Sequence, residues 1–171
     1  MESLAYITIG TGVGVGVVIN GQVLHGLQHP EGGHVRVNRC AGDDFKGVCS
    51  IHGDCLEGLV ANGSIKERKG LQSVDECGSL LDEDPVWSYI SSYVAQLCLS
   101  LLYLNSMQKI VIGGGIINRE SLLKGIRQQF IVLNNNYIDN PILKEDSIHN
   151  YIDRTGFGNY SGILSAFALL F

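Results

Sequence analysis

The sequence predicts an α/β domain carrying an inserted loop rich in Cys, His and Gly, and three observations lead to that class. Residues 4–24 and 109–112 read as strands, by period-two alternation or β-branched runs. Pro85 opens a long stripe of apolar residues at helical spacing. Between them, the stretch from His29 to Glu57 is rich in Cys, His and Gly but poor in apolar side chains. At 45% hydrophobic, 171 residues suffice for one domain with its own core.

Leu4–Ile9 reads as the first strand and Val13–Ile19, where valine and glycine largely alternate, as the second. Asn20-Gly21 is a hairpin signal because both turn positions need positive φ, so residues 22–24 should return as a third strand. Gly10-Thr11-Gly12 lies between strands rather than before a helix, which excludes a dinucleotide fingerprint. Such a turn can offer several N–H groups and one hydroxyl to a phosphate, or it can be a tight hairpin whose glycines permit twist. Both readings stand at this level.

In the Cys and His stretch, Cys49-x-x-His52-x-x-Cys55 with His34 upstream supplies four nitrogen and sulfur ligands, the number that a closed tetrahedral zinc site needs. Residues 34–55 therefore read as a structural zinc segment, with Cys40 as an alternative sulfur. Buried apolar thiols are the ordinary alternative. They would leave unexplained the shortage of apolar neighbours and the glycines at 32, 33, 42, 47 and 53. A loop that cannot build a core needs a staple.

Residues 56–59 begin a short helix, and Ser64 is expected to cap another over 65–69, which Gly70 stops. The acidic residues Asp75, Glu76, Asp82, Glu83 and Asp84 mark a solvated connection or small helices whose charges face water. Pro85 suits the first turn of a core helix whose stripe, from Val86 through Ile90, Val94, Leu97 and Leu101, ends at Asn105-Ser106. Residues 109–112 form a buried strand ended by Gly113-Gly114-Gly115, and Asn118 is expected to cap a helix over 119–134. Strand, triple glycine and helix suit nucleotide contact, and equally a close crossover where only glycine fits. Residues 138–149 carry no clear signal, while residues 158–162 introduce a final apolar helix over 163–171, where Gly162 and Ala166 would allow close packing.

With 12 scattered basic residues, 17 acidic ones and a net charge of -5, the chain has no electrostatic footprint for nucleic acid. Five cysteines without an apolar leader point to a reducing compartment, so a cytoplasmic location is expected. The longest apolar run, residues 94–104, is broken by Gln96 and Ser100 and is too short to span a bilayer.

Four motifs in order carry a family resemblance: Gly10-Thr11-Gly12-Val13-Gly14-Val15-Gly16, Glu31-x-x-His34, the cluster ending Cys55-x-Glu57, and Gly113-Gly114-Gly115-Ile116. Together they resemble ROK-family sugar kinases, and His29-Pro30-Glu31-Gly32-Gly33-His34 with Cys-x-x-His-x-x-Cys is most similar to the bacterial-type fructokinases. The resemblance implies the actin/hexokinase-like (ribonuclease H-like) ATPase fold, with residues 1–171 as its C-terminal lobe and the N-terminal lobe absent.

The resemblance also implies roles. Thr11 and Gly12 would meet phosphate, with Gly113, Gly114 and Gly115 at the nucleotide; Glu31, His34 and Glu57 would bind sugar hydroxyls. His34 would work twice, one ring nitrogen on zinc and the other on the sugar. Structural zinc, Mg-ATP and a hexose, fructose favoured, are the implied ligands, and a homodimer would be ordinary. The family's Asp-x-Gly-x-Thr loop and its catalytic aspartate have no match in residues 1–171, so no catalytic residue is assigned and the isolated chain is expected not to phosphorylate sugar. A non-catalytic sugar-binding or regulatory remnant is the alternative.

Overall fold

The computed structural model describes residues 2–156. Five strands form one sheet in the order β3-β2-β1-β4-β5, where β1 is Leu4–Ile9, β2 Val13–Ile19, β3 Gln22–Val23, β4 Lys109–Gly113 and β5 Ile152–Arg154. β1 runs antiparallel to β2 and parallel to β4, so Ile7 faces Val15 on one side and Ile112 on the other. Period two decides which side chains enter the core. Ala5, Ile7, Ile9, Val13, Val15 and Val17 are buried, while Gly14 and Gly16 between them are exposed.

Helices α1 (Leu56–Val60), α2 (Asn62–Lys69), α3 (Pro85–Asn105) and α4 (Glu120–Asn134) surround that core. The stripe of α3 buries Ile90, Val94, Leu97 and Leu101 as its spacing requires, and α4 contributes Leu122, Leu123, Ile126 and Phe130. Pro85 begins α3, the Asp84 carboxylate accepts from the Val86 N–H at 3.0 Å, and Ser106 ends the helix in the left-handed region. Among the described residues no helix is long and apolar enough to cross a membrane.

Several expected boundaries move. Helix α2 begins at Asn62 rather than after Ser64, because Ala61 ends α1 and caps α2 at once. The Ser64 hydroxyl turns back and donates to the Gly58 carbonyl at 2.9 Å. Asn118 does not cap α4: Gly115–Asn118 winds as a 3-10 turn, and Arg119 occupies the cap position without a side-chain cap bond. The acidic connection combines a small helix with solvated charges, as expected: Val74–Ser79 forms a 3-10 helix capped by Ser73, Asp75, Asp82 and Glu83 are exposed, and Asp84 pairs with Lys69 at 2.7 Å. Residues thought to carry no signal lead into α5 (Ile148–Tyr151) and β5, whose three residues are strand only because β4 lies parallel beside them. The expected helix over 163–171 lies outside the described residues.

Candidate functional site

The Cys and His segment is held against the sheet by its glycines. Residues Gly32–His34 make one 3-10 turn over β2, and a Cβ on Gly33 would overlap the Val13 carbonyl oxygen. That approach sets the position of His34. Farther on, the backbone reverses between Cys49 and Gly53, which exchange N–H···O bonds of 3.1 and 2.9 Å, and Cys55 enters α1 as its cap residue.

The result is a four-atom cluster. Single ligand atoms of His34, Cys49, His52 and Cys55 all lie within 4.8 Å of one another. His34 Nδ1 is 3.5 Å from Cys55 Sγ and 3.9 Å from Cys49 Sγ, and His52 Nδ1 is 3.8 Å from Cys49 Sγ. Tetrahedral zinc with ordinary bond lengths separates nitrogen from sulfur by about 3.5 Å and sulfur from sulfur by about 3.8 Å. The donor set and spacing therefore fit zinc.

Electrostatics suit the same ion. The N–H groups of His52 and Ile51 pull the Cys49 thiol down to about 6, near the thiolate that a metal requires. Burial pushes the Cys55 thiol up, which metal binding would have to overcome. Cys40 is outside the cluster, its N–H donating to the Tyr93 hydroxyl at 3.2 Å, while Cys77 and Cys98 are buried elsewhere.

The loop is pinned from behind by an ion pair that the sequence did not suggest. Arg68 of α2 grips the Asp43 carboxylate with two bonds of 2.5 and 2.8 Å, and the Tyr93 hydroxyl of α3 donates to it at 2.6 Å. Burial pushes the Asp43 carboxyl up, but those donors outweigh it and hold the pKa at about 2.

The other candidate residues fall in three places. Glu31 is exposed and pairs with His29 at 2.7 Å. Glu57, on α1, accepts the Val13 N–H at 2.9 Å and so reaches the turn that holds Thr11 and Gly12. Thr11 is exposed, and the Gly10 carbonyl accepts from the Asn62 N–H at 2.8 Å, so both flanks of the turn are held by the segment that follows Cys55.

Of the triple glycine, Gly115 lines a cleft of about 430 Å³ with Asn62, Cys77, Gly78, Trp87 and Arg119. Gly114 is demanded by packing, because a Cβ would overlap the Ile9 carbonyl at a φ of 106°, whereas at Gly113 a Cβ would push against the Tyr6 hydroxyl. Trp87 and Arg119 escaped sequence reasoning. The Arg119 guanidinium lies 4.4 Å from the Trp87 ring centre, donates to the carbonyls of Gly78 and Leu80, and pairs with Asp82. A basic residue four positions after a triple glycine was the available signal.

A model of the ROK family matches residues 1–170. The chain is 40% identical over 164 residues to a fructokinase of Pediococcus pentosaceus, covering 96% of this chain and 54% of that relative. Its structure resembles a ROK hexokinase from Thermus thermophilus, with a TM-score of 0.72, 24% identity, and coverage of 96% of this chain and 57% of the other. It also resembles a ROK family glucokinase from Streptomyces griseus in complex with glucose and AMPPNP, with a TM-score of 0.65, 19% identity, and coverage of 98% and 60%. The fold is thus the actin/hexokinase-like one, and the chain spans about half the length of the relatives it matches.

Proposed function

The chain belongs to the ROK family, and from that premise we propose that it is the C-terminal lobe of an ATP-dependent hexose kinase that converts fructose to fructose 6-phosphate. Its contribution is half of a two-sided site. Thr11 and Gly12 meet the phosphates of Mg-ATP, and the cleft beside Gly115 takes the adenosine, with Gly113 and Gly114 setting the backbone there. Glu31, His34 and Glu57 accept or donate hydrogen bonds to sugar hydroxyls, and charge-assisted bonds of this kind outlast competition from water better than neutral ones.

The observation that carries this reading is the Glu57 bond to Val13 N–H, which joins the metal segment to the glycine turn in one constellation. His34, Cys49, His52 and Cys55 would hold zinc. Bound there, zinc supplies fixed ring orientation and tautomer rather than reaction chemistry. His34 Nδ1 faces the sulfurs, so its other ring nitrogen is the one available to a hydroxyl.

In the transfer itself the sugar hydroxyl oxygen bonds to the γ-phosphorus, the bond from that phosphorus to the β-bridging oxygen breaks, and the hydroxyl proton passes to a base. We assign that base to the opposing lobe, since Glu31 and Glu57 are committed in this reading to holding sugar hydroxyls in place. The 171 residues alone should bind without turnover.

The test is a titration of the zinc-replete chain with fructose, glucose and Mg-AMPPNP, followed by a coupled assay after mixing with the other half of a fructokinase. Binding alone and turnover only in the mixture support the kinase reading. Fructose binding with no nucleotide binding favours the alternative, a sugar-binding or regulatory zinc module.

A further inference from the structure

We infer that Glu57 is also a positioning residue for the phosphate turn, holding it in shape through Val13 before any sugar arrives. This rests on the proposal that Gly10-Thr11-Gly12 binds nucleotide phosphate. Glu57 Oε2 accepts the Val13 N–H at 2.9 Å, at the point where the turn becomes β2. The same oxygen would stand 2.6 Å from a Cβ on Gly12, so the glycine is the space into which the carboxylate fits. At the other flank the Asn62 N–H donates to the Gly10 carbonyl at 2.8 Å. Both anchors come from α1 and the first residue of α2, and no other charged side chain of the described residues bonds the turn.

A carboxylate has two oxygens and about four acceptor positions, so one oxygen can keep Val13 while the other takes a sugar hydroxyl. Glu57 then touches both halves of the ligand set. A hydrogen bond to a charged acceptor is among the stronger ones, and an ordered turn presents its donors to phosphate without first losing conformational freedom.

The experiment combines Mg-AMPPNP titration without sugar and amide hydrogen exchange at Val13, using the zinc-loaded chain of 171 residues. Zinc content and circular dichroism serve as fold controls. Glu57→Ala should bind nucleotide roughly tenfold more weakly and lose protection at Val13. Glu57→Gln, which keeps an acceptor of the same reach, should restore both, whereas Glu57→Asp, one methylene shorter, should not. Gly12→Ala should weaken binding by displacing the carboxylate, and the double variant Gly12→Ala/Glu57→Ala should be no weaker than Glu57→Ala alone.

Wild-type affinity in a folded Glu57→Ala chain, or unchanged exchange at Val13, overturns the positioning role by itself. Failure of the unsubstituted chain to bind Mg-AMPPNP overturns the nucleotide reading and this role together.

Discussion

His34 Nδ1 lies 3.5 Å from Cys55 Sγ, although 21 residues separate them. That distance suits two ligands of one ion, so the purified chain is expected to carry about one zinc per molecule. Cys55→Ser should lower metal content below half, and stripping the ion should lower the melting temperature by roughly 10 °C, because metal binding energy is folding energy for a loop with little core. Elemental analysis and a thermal melt check both. Full stability in the stripped chain would end the structural-metal assignment.

Gly114 and Gly115 are neighbours with opposite requirements. Gly114→Ala would force a Cβ into the Ile9 carbonyl at a positive φ and should cost roughly 2–4 kcal/mol. At Gly115 a Cβ meets nothing within 4 Å, so Gly115→Ala should change stability by less than about 0.5 kcal/mol while weakening nucleotide in the adjoining cleft. Urea melts and Mg-AMPPNP titrations separate the two.

Asp43 should make stability depend on acid pH. Its pKa falls from 3.8 to about 2 on folding, so the unfolded chain binds the proton more readily than the folded one. The contribution, about 2 kcal/mol, is complete above pH 4 and is lost as pH falls through 4 toward 2. Asp43→Asn should lack this slope and cost about 3 kcal/mol near neutrality by leaving Arg68 buried without its partner. Denaturant midpoints from pH 7 to pH 2 test it. The difference between the two proteins is the quantity to follow, because acid also displaces metal.

Arg119 sets the wall of the cleft by joining the segment from Gly78 to Asp82 to Trp87. Arg119→Ala should weaken Mg-AMPPNP about tenfold and leave zinc content unchanged, and Arg119→Lys should recover little, because an ammonium cannot copy a planar fork lying over an indole. Equal affinity in all three proteins would remove the residue from the nucleotide wall.

What the sequence by itself determined was local. Alternating valine and glycine in β2, Asn20-Gly21, the apolar stripe of α3 between Pro85 and Ser106, and the short spacing of Cys49, His52 and Cys55 each express a constraint that neighbouring residues satisfy among themselves. Even the family was legible, because its motifs are short and come in order. Tertiary structure decided the rest. β5 has too few residues for a period and takes its state from β4; Ser64 and Asn118 look like caps, but the chain around them winds to other partners. The Asp43 and Arg68 pair and the grip of Glu57 on Val13 join residues 25 and 44 positions apart. Such contacts exist only once burial has brought distant backbone together, and no local pattern in the sequence records them.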